Sequence, residues 1–351
     1  MPTDIKLTVL DQSPVHPPGA TPELANAGRM SIELAKACEA LGFSRYWVSE
    51  HHNSAQFAGP SPEILIASIA GATQRIRVGS GGVMLSHYSP FKVAEVFNML
   101  SALYPGRIDL GIGRAPGGDM LASSALAWPA QMQNAENYPL QATTLKALLE
   151  KSIPDDHPWS RLHITPDHNS CPDLWMLGSS GGSAALAGQV GMKLALARFI
   201  SPDNCTPDIF TNYDHAWMQA NHPGKPGRML AIGAFCAESG EEAKLLAGTA
   251  IYRKMMMQQG QREGLLAPEV VQDRRAKFSL SQESQYQHLA NGYTIGEPDH
   301  CKREIEALAG EFGCDEIAIV TVTHDFSARL NSYRLLGEPN QATSIENPDT
   351  E

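Results

Sequence analysis

The chain has 351 residues, 42% of them hydrophobic, and a formal net charge of -11 at pH 7, enough for a large buried core in one large domain or two ordinary ones. The acidic balance comes without any basic cluster, which argues against nucleic acid as a partner and mainly gives solubility. No apolar stretch approaches the roughly 20 residues that a membrane-spanning helix needs, so no membrane partner is expected.

The opening MPTDIKLTVL runs straight into a strand-like pattern, so no secretory leader is expected. Strand candidates follow in order at 5–13 (IKLTVLDQS), 45–52 (RYWVSEHH), 76–85 (IRVGSGGVML) and 107–115 (RIDLGIGRA). Four more come at 174–180 (LWMLGSS), 193–200 (KLALARFI), 228–238 (RMLAIGAFCAE) and 315–323 (DEIAIVTVT). Most are apolar at nearly every position, the pattern of a parallel sheet covered by helices on both sides. Eight strand–helix units suit an α/β chain closed into a (β/α)8 TIM barrel better than an open sheet.

The punctuation between strands agrees. CEALGF (38–43), AGQVGM (187–192) and AGEFGC (309–314) each end a helix on a glycine where a left-handed residue is wanted. SPEIL (61–65) and SPFKV (89–93) place proline at a first helical position behind a serine cap. Two insertions break the rhythm, 119–173 after the fourth strand and 239–291 after the seventh. Excursions of that length are lids, interfaces or disordered loops. No linker divides the chain, so a single barrel domain is expected over 1–337, with a solvated tail at 338–351. The six cysteines show no CxxC pairing and sit mostly in apolar contexts, as buried reduced thiols in a cytoplasmic protein would.

In a barrel, reactive groups gather at the C-terminal ends of strands. Those ends are rich in glycine, serine and arginine here, with neither the paired acids of a glycosidase nor an HExxH motif. The second offers Glu50, His51 and His52 in succession. Side chains alternate along a strand, so the two histidines should point to opposite sides. One can then enter the mouth as a general base near neutral pH while the other supports it. A metal would need a third ligand, for which His87 is the natural candidate. At LGSSGGSAALAGQVG (177–191) a strand ends, glycines turn the chain and serines open a helix. Its N–H groups, with the hydroxyls of Ser179, Ser180 and Ser183, make either a phosphate site or a plainly capped helix. Arg114 would be the other half of a phosphate clamp. Gly81 and Gly82 interrupt a strand, which suits a flat ring packed on backbone or a bulge at the rim. GIGRAPGG (111–118) has the wrong glycine spacing for a dinucleotide fingerprint.

Together YWVSEHHN, the stretch 76–119 with GSGGVML and GRAPGGD, and the serine-glycine loop resemble the bacterial luciferase-like monooxygenase superfamily over most of the chain. The resemblance implies a flavin-dependent barrel enzyme that takes reduced FMN from a separate flavin reductase and reacts it with O2 to oxidise a small, fairly apolar organic substrate. By motif, Arg114 falls at the phosphate-binding arginine, and Ser180 and Ser183 at hydroxyl positions facing the phosphate. Gly81–Gly82 falls where the superfamily often has a non-prolyl cis peptide under the isoalloxazine. His51 falls at the catalytic histidine, with His52 beside it and Glu50 orienting the pair. The resemblance also implies a homodimer, for which 62–76 is apolar enough, and a mobile loop over the flavin within 239–291. Gly113 stands where bacterial luciferase has a reactive cysteine, which speaks against light emission from a long-chain aldehyde. A deazaflavin F420-dependent oxidoreductase and a non-catalytic flavin-binding protein are the rival readings.

Overall fold

Eight parallel strands form a closed ring in the computed structural model, which describes residues 5–15, 26–132, 134–261 and 263–337. They are β1 (Lys6–Asp11), β2 (Arg45–Val48), β3 (Arg77–Met84), β4 (Ile108–Gly113), β5 (Asp173–Gly178), β6 (Lys193–Ala197), β7 (Arg228–Cys236) and β9 (Glu316–Val320). Pairing runs in sequence from β1 to β7, then through β9 back to β1. All eight expected strands are present. A ninth, β8 (Tyr293–Gly296), was not expected; it pairs with the C-terminal half of β7, from Gly233↔Tyr293 to Cys236↔Gly296. Four residues between NG and EP are too short a run to stand out from a loop.

The strands are jacketed by α1 (Ala27–Ala40), α2 (Pro62–Ala72), α3 (Pro90–Leu103), α4 (Met120–Ala127), α5 (Tyr138–Leu149) and α6 (Gly181–Val190). The second half of the jacket is α7 (Asp208–Gln219), α8 (Gly240–Gln258), α9 (Pro268–Arg275), α10 (Leu280–Ala290), α11 (Pro298–Phe312) and α12 (Phe326–Leu336). No described helix is long and apolar enough to cross a membrane. Gly42, Gly191 and Gly313 have φ of 80°, 76° and 59°, so each expected helix stop is a left-handed glycine that a side chain would strain. Pro62 and Pro90 do open α2 and α3, but the hydroxyls of Ser61 and Ser89 make no cap hydrogen bond.

Strand alternation sorts side chains into two cores. Tyr46 and Val48 point outward into the strand–helix layer, whereas Trp47 joins Leu10, Trp175, Met229 and Phe235 inside the barrel. Trp47 and Trp175 meet edge to face with centroids 5.2 Å apart. At the N-terminal end the bore closes on charge. Asp109, fully buried, accepts from Arg45 Nη1 (2.8 Å), Arg77 Nη2 (2.6 Å) and Trp47 Nε1 (2.8 Å), and Arg45 also reaches Glu316 (2.7 Å). Lys193 pairs with Asp173 at 2.7 Å on the same floor.

The inner core continues upward into the second insertion. Ala247, Ala250, Ile251, Tyr252 and Met255 of α8, with Val271 and Tyr286, belong to the same cluster as Trp47 and Phe235. The segment expected as a loop over the flavin is thus a three-helix roof packed on the mouth. The first insertion carries α4 and α5. Residues 338–351, expected as a tail, lie outside the described residues.

Candidate functional site

β2 ends at Val48, so Glu50, His51 and His52 occupy the turn beyond the strand and strict alternation does not govern them. Backbone bonds from His51 N to Gly59 O and from His52 N to Gly117 O, each 2.9 Å, pin the turn to neighbouring loops. Glu50 is only 1% exposed. One carboxylate oxygen accepts from Met84 N (3.0 Å); the other accepts from the Tyr88 hydroxyl (2.7 Å) and pairs with His52 Nε2 (2.6 Å). The acid therefore orients His52 and not both histidines, correcting the expectation.

His51 turns the other way. Its ring stacks on Phe57 with centroids 4.4 Å apart, and its Nδ1 is buried without a hydrogen-bond partner among the described residues. Burial first, then the charge of Arg253 and the neighbouring His52, push its pKa down to about 4. A neutral imidazole at pH 7 replaces the expected base titrating near neutrality. His87 lies edge to face with His52 at 5.8 Å and bonds Pro116 O at 2.7 Å. Among the described residues no cluster of His, Cys, Asp and Glu could hold a metal.

The rim of β3 is bare backbone. The Gly81–Gly82 peptide is cis, as the family resemblance implied. A Cβ on Gly82 would come within 2.7 Å of Gly111 O and 3.0 Å of Leu177 Cδ1, and one on Gly81 would collide with Leu10 Cδ1. Ser49 Oγ donates to Gly81 O at 3.2 Å, tying this backbone to the histidine turn.

Two strands further round, α6 starts openly. Ser180 occupies its N-cap in extended conformation with an exposed side chain that caps nothing, and space beside Gly181 and Gly182 is empty within 4 Å of where a Cβ would be. First-turn N–H groups and the hydroxyls of Ser179 and Ser180 are thus available to an anion. Ser183 packs over Gly178, whose missing Cβ makes the room. Arg114 follows β4, the strand that pairs with β5, and its side chain is exposed. No hydrogen bond among the described residues joins it to these serines. It lines a cleft of about 410 Å³ with Ser86, His87, Pro116, Met120 and Met132. Trp175 is barrel core, whereas Trp128 and Trp159 are 81% and 43% exposed.

Sequence reasoning missed Phe57, Tyr88 and Arg253. Tyr88 could have been suspected, because it lies four residues beyond the β3 end, in SHYSP. Arg253, 8% exposed on α8, is a lone cation in the apolar face of a helix.

A family model described as luciferase-like monooxygenase matches residues 6–316. The chain is 40% identical over 335 residues to the Bacillus subtilis protein YwcH, covering 95% of this chain and 98% of that one. It is 31% identical over 338 residues to the N-acetyl-S-alkylcysteine monooxygenase of the same organism, covering 95% and 98%. Among solved structures, apo-MsnO8 superposes with a TM-score of 0.82 at 37% identity, over 95% of this chain and 97% of that one. The oxygenating component of 3,6-diketocamphane monooxygenase from Pseudomonas putida, in complex with FMN, shares the fold (TM-score 0.69, 19% identity, covering 96% and 98%). So does an F420-dependent secondary alcohol dehydrogenase (TM-score 0.67, 15% identity, covering 95% and 98%).

Proposed function

Because the chain belongs to the luciferase-like monooxygenase family, we propose that it takes reduced FMN from a separate flavin reductase and uses O2 to oxidise a small, mainly apolar organic molecule. One observation carries the reading: a bare glycine backbone, a neutral histidine with an unpartnered nitrogen and an open helix N-terminus stand on a single barrel rim.

These residues fit the flavin. Gly81–Gly82 offer a surface without side chains to a flat ring, while Ser179, Ser180, the first turn of α6 and Arg114 supply donors and positive charge for a phosphate. Bound reduced FMN would supply the electron pair that activates O2, one oxygen atom going to the substrate and the other to water. The chain's own residues set the conditions. His51, neutral and desolvated, holds Nδ1 free to accept a proton or hydrogen bond at the mouth. Glu50 clamps the β2 turn directly to Met84 and Tyr88 while it holds His52, and so fixes the rim on which the ring would rest. The roof of α8–α10 keeps water from the mouth.

The same reading includes a homodimer and a cytoplasmic setting. Ile64 on α2, with Met99 and Leu103 on α3, is 65%, 47% and 60% exposed, leaving an apolar face on adjoining helices beside β3. The six cysteines are free, five of them buried. The test is anaerobic: load the protein with photoreduced FMN, mix with oxygenated buffer and follow the flavin spectrum. Flavin oxidation in phases distinct from free FMN, altered in His51→Ala, is expected. Oxidation identical to free flavin would remove the monooxygenase reading and bring F420 titration forward.

A further inference from the structure

Arg253 is a buried cation with no anion to answer it among the described residues. It lies in the C-terminal half of α8, and its Nε and Nη1 are sealed from solvent without a hydrogen-bond partner among the described residues. The guanidinium carbon is 4.7 Å from the centroid of Phe57, the ring on which His51 stacks. Tyr293, at the start of β8, is the other group acting on it. Neither brings formal negative charge: an aromatic face offers partial compensation only, and burial pushes the Tyr293 phenol up to about 12. Burial lowers the Arg253 pKa itself to about 10, which still leaves the side chain charged at neutral pH.

The protein's other well-buried arginines are treated differently. Arg329, 1% exposed, has Asp11 at 2.6 Å, and Arg45 has Asp109 at 2.8 Å and Glu316 at 2.7 Å. An unpaired charge held away from water is costly, and proteins keep one where a partner arrives from outside. A guanidinium presents a planar fork of donors that matches a carboxylate. Phe57 and the stacked His51 give the wall beside it an apolar face.

We propose that Arg253 anchors a carboxylate of the substrate, so that the molecule oxidised is a small organic acid with its charged end on Arg253 and its apolar body along Phe57 toward His51. This rests on the oxygenase reading for the reaction, but the binding it asserts needs no turnover. The same donors could instead serve the electron-rich pyrimidine edge of a reduced flavin, and the test separates the two.

Calorimetric titration of the flavin-free, full-length protein at pH 7 would compare butanoate, hexanoate and octanoate with their amides, in wild type, Arg253→Met and Arg253→Lys. Wild type should bind at least one acid about tenfold or more tightly than its amide, the size of one charge-assisted contact. Arg253→Met should lose that preference while keeping its weak affinity for the amide, and Arg253→Lys should fall between. Melting of Arg253→Met at or above the wild-type temperature is expected, since an uncompensated buried charge has gone. Equal binding of acid and amide, no binding of any acid, or an acid preference kept in Arg253→Met would each overturn the proposal. Should Arg253→Met not fold, wild type and Arg253→Lys decide it alone. A loss of reduced-FMN affinity in either variant, with acid binding unchanged, would assign the arginine to the flavin instead. Failure of the oxygen experiment with acid selectivity intact would leave the anchor standing and change only the reaction.

Discussion

The Glu50 cluster makes a sharp prediction about coupling. Its carboxylate, 1% exposed, receives three donors: Met84 N, Tyr88 Oη and His52 Nε2, at 3.0, 2.7 and 2.6 Å. A hydrogen bond to a charged group contributes about 1.5–3 kcal/mol, so Tyr88→Phe should cost about 2 kcal/mol. Glu50→Gln keeps the shape but leaves one acceptor oxygen and turns an amide N–H₂ toward at least one donor, costing about 3 kcal/mol. Once the charge is gone the tyrosine has little left to satisfy, so the double variant should lose about 3–3.5 kcal/mol rather than 5. The coupling is then about 1.5–2 kcal/mol. Urea unfolding of the four proteins at pH 7, with matched m-values, measures it. Additivity to within about 0.5 kcal/mol would show that the three contacts do not share one charge, and would refute the cluster as the device holding the rim.

Other outcomes follow from the same geometry. His51 has a folded pKa near 4 against about 6.5 in an unfolded chain, so the unfolded state takes up the proton first as pH falls. Stability should drop by about 3 kcal/mol between pH 6.5 and 4 relative to His51→Gln, and parallel urea midpoints for the two proteins across that range would contradict the assignment. Arg114→Gln should weaken FMN binding about 10- to 100-fold, the value of a charge-assisted phosphate contact; unchanged affinity in a fluorescence titration would remove Arg114 from the phosphate site. Gly82→Ala should cost about 1–3 kcal/mol by overpacking, since the new Cβ meets Gly111 O at 2.7 Å, and a melting temperature equal to wild type would show that the rim yields. Burial alone would raise the Asp11 pKa, but Arg329 and the hydroxyls of Ser31 and Tyr46 outweigh it and hold the carboxyl below its usual value. Asp11→Asn should therefore cost about 3–5 kcal/mol above pH 4, with the difference shrinking at lower pH as the wild-type carboxyl protonates; a constant difference in chemical unfolding would count against the pairing.

The barrel was legible because its strands are covered on both sides and so read as unbroken apolar runs. Gly42, Gly191 and Gly313 were legible because a left-handed helix stop has a strong residue preference. The site was less so. The chain leaves β2 at Val48, before the polar residues whose directions had been inferred from alternation, so the orientation of His51 and His52 depended on turn contacts. The allegiance of Glu50 rests on Tyr88, 38 residues downstream, a distance over which local pattern carries no information. Asp11 closes β1 at the end of the barrel where reactive groups gather, yet it is fully buried and paired to Arg329, 318 residues away. Arg253 was invisible for a different reason: α8 also carries Lys244 and Lys254, cations in a helix normally mark its solvent side, and only packing of the roof reveals that this one faces inward.

The ion-paired base of the barrel has a kinetic corollary. With Arg45, Arg77 and Lys193 locked to Asp109, Asp173 and Glu316 below, and Trp47 against Trp175 above them, nothing can pass along the axis. Every molecule that reaches the rim glycines must come and go on the roofed side. On the proposed reading, cofactor and substrate therefore share one end of the barrel, the cofactor against Gly81–Gly82 and the substrate along Phe57 beneath α8. Neither can be delivered or withdrawn through the floor, so both exchanges depend on the loops and helices around the mouth.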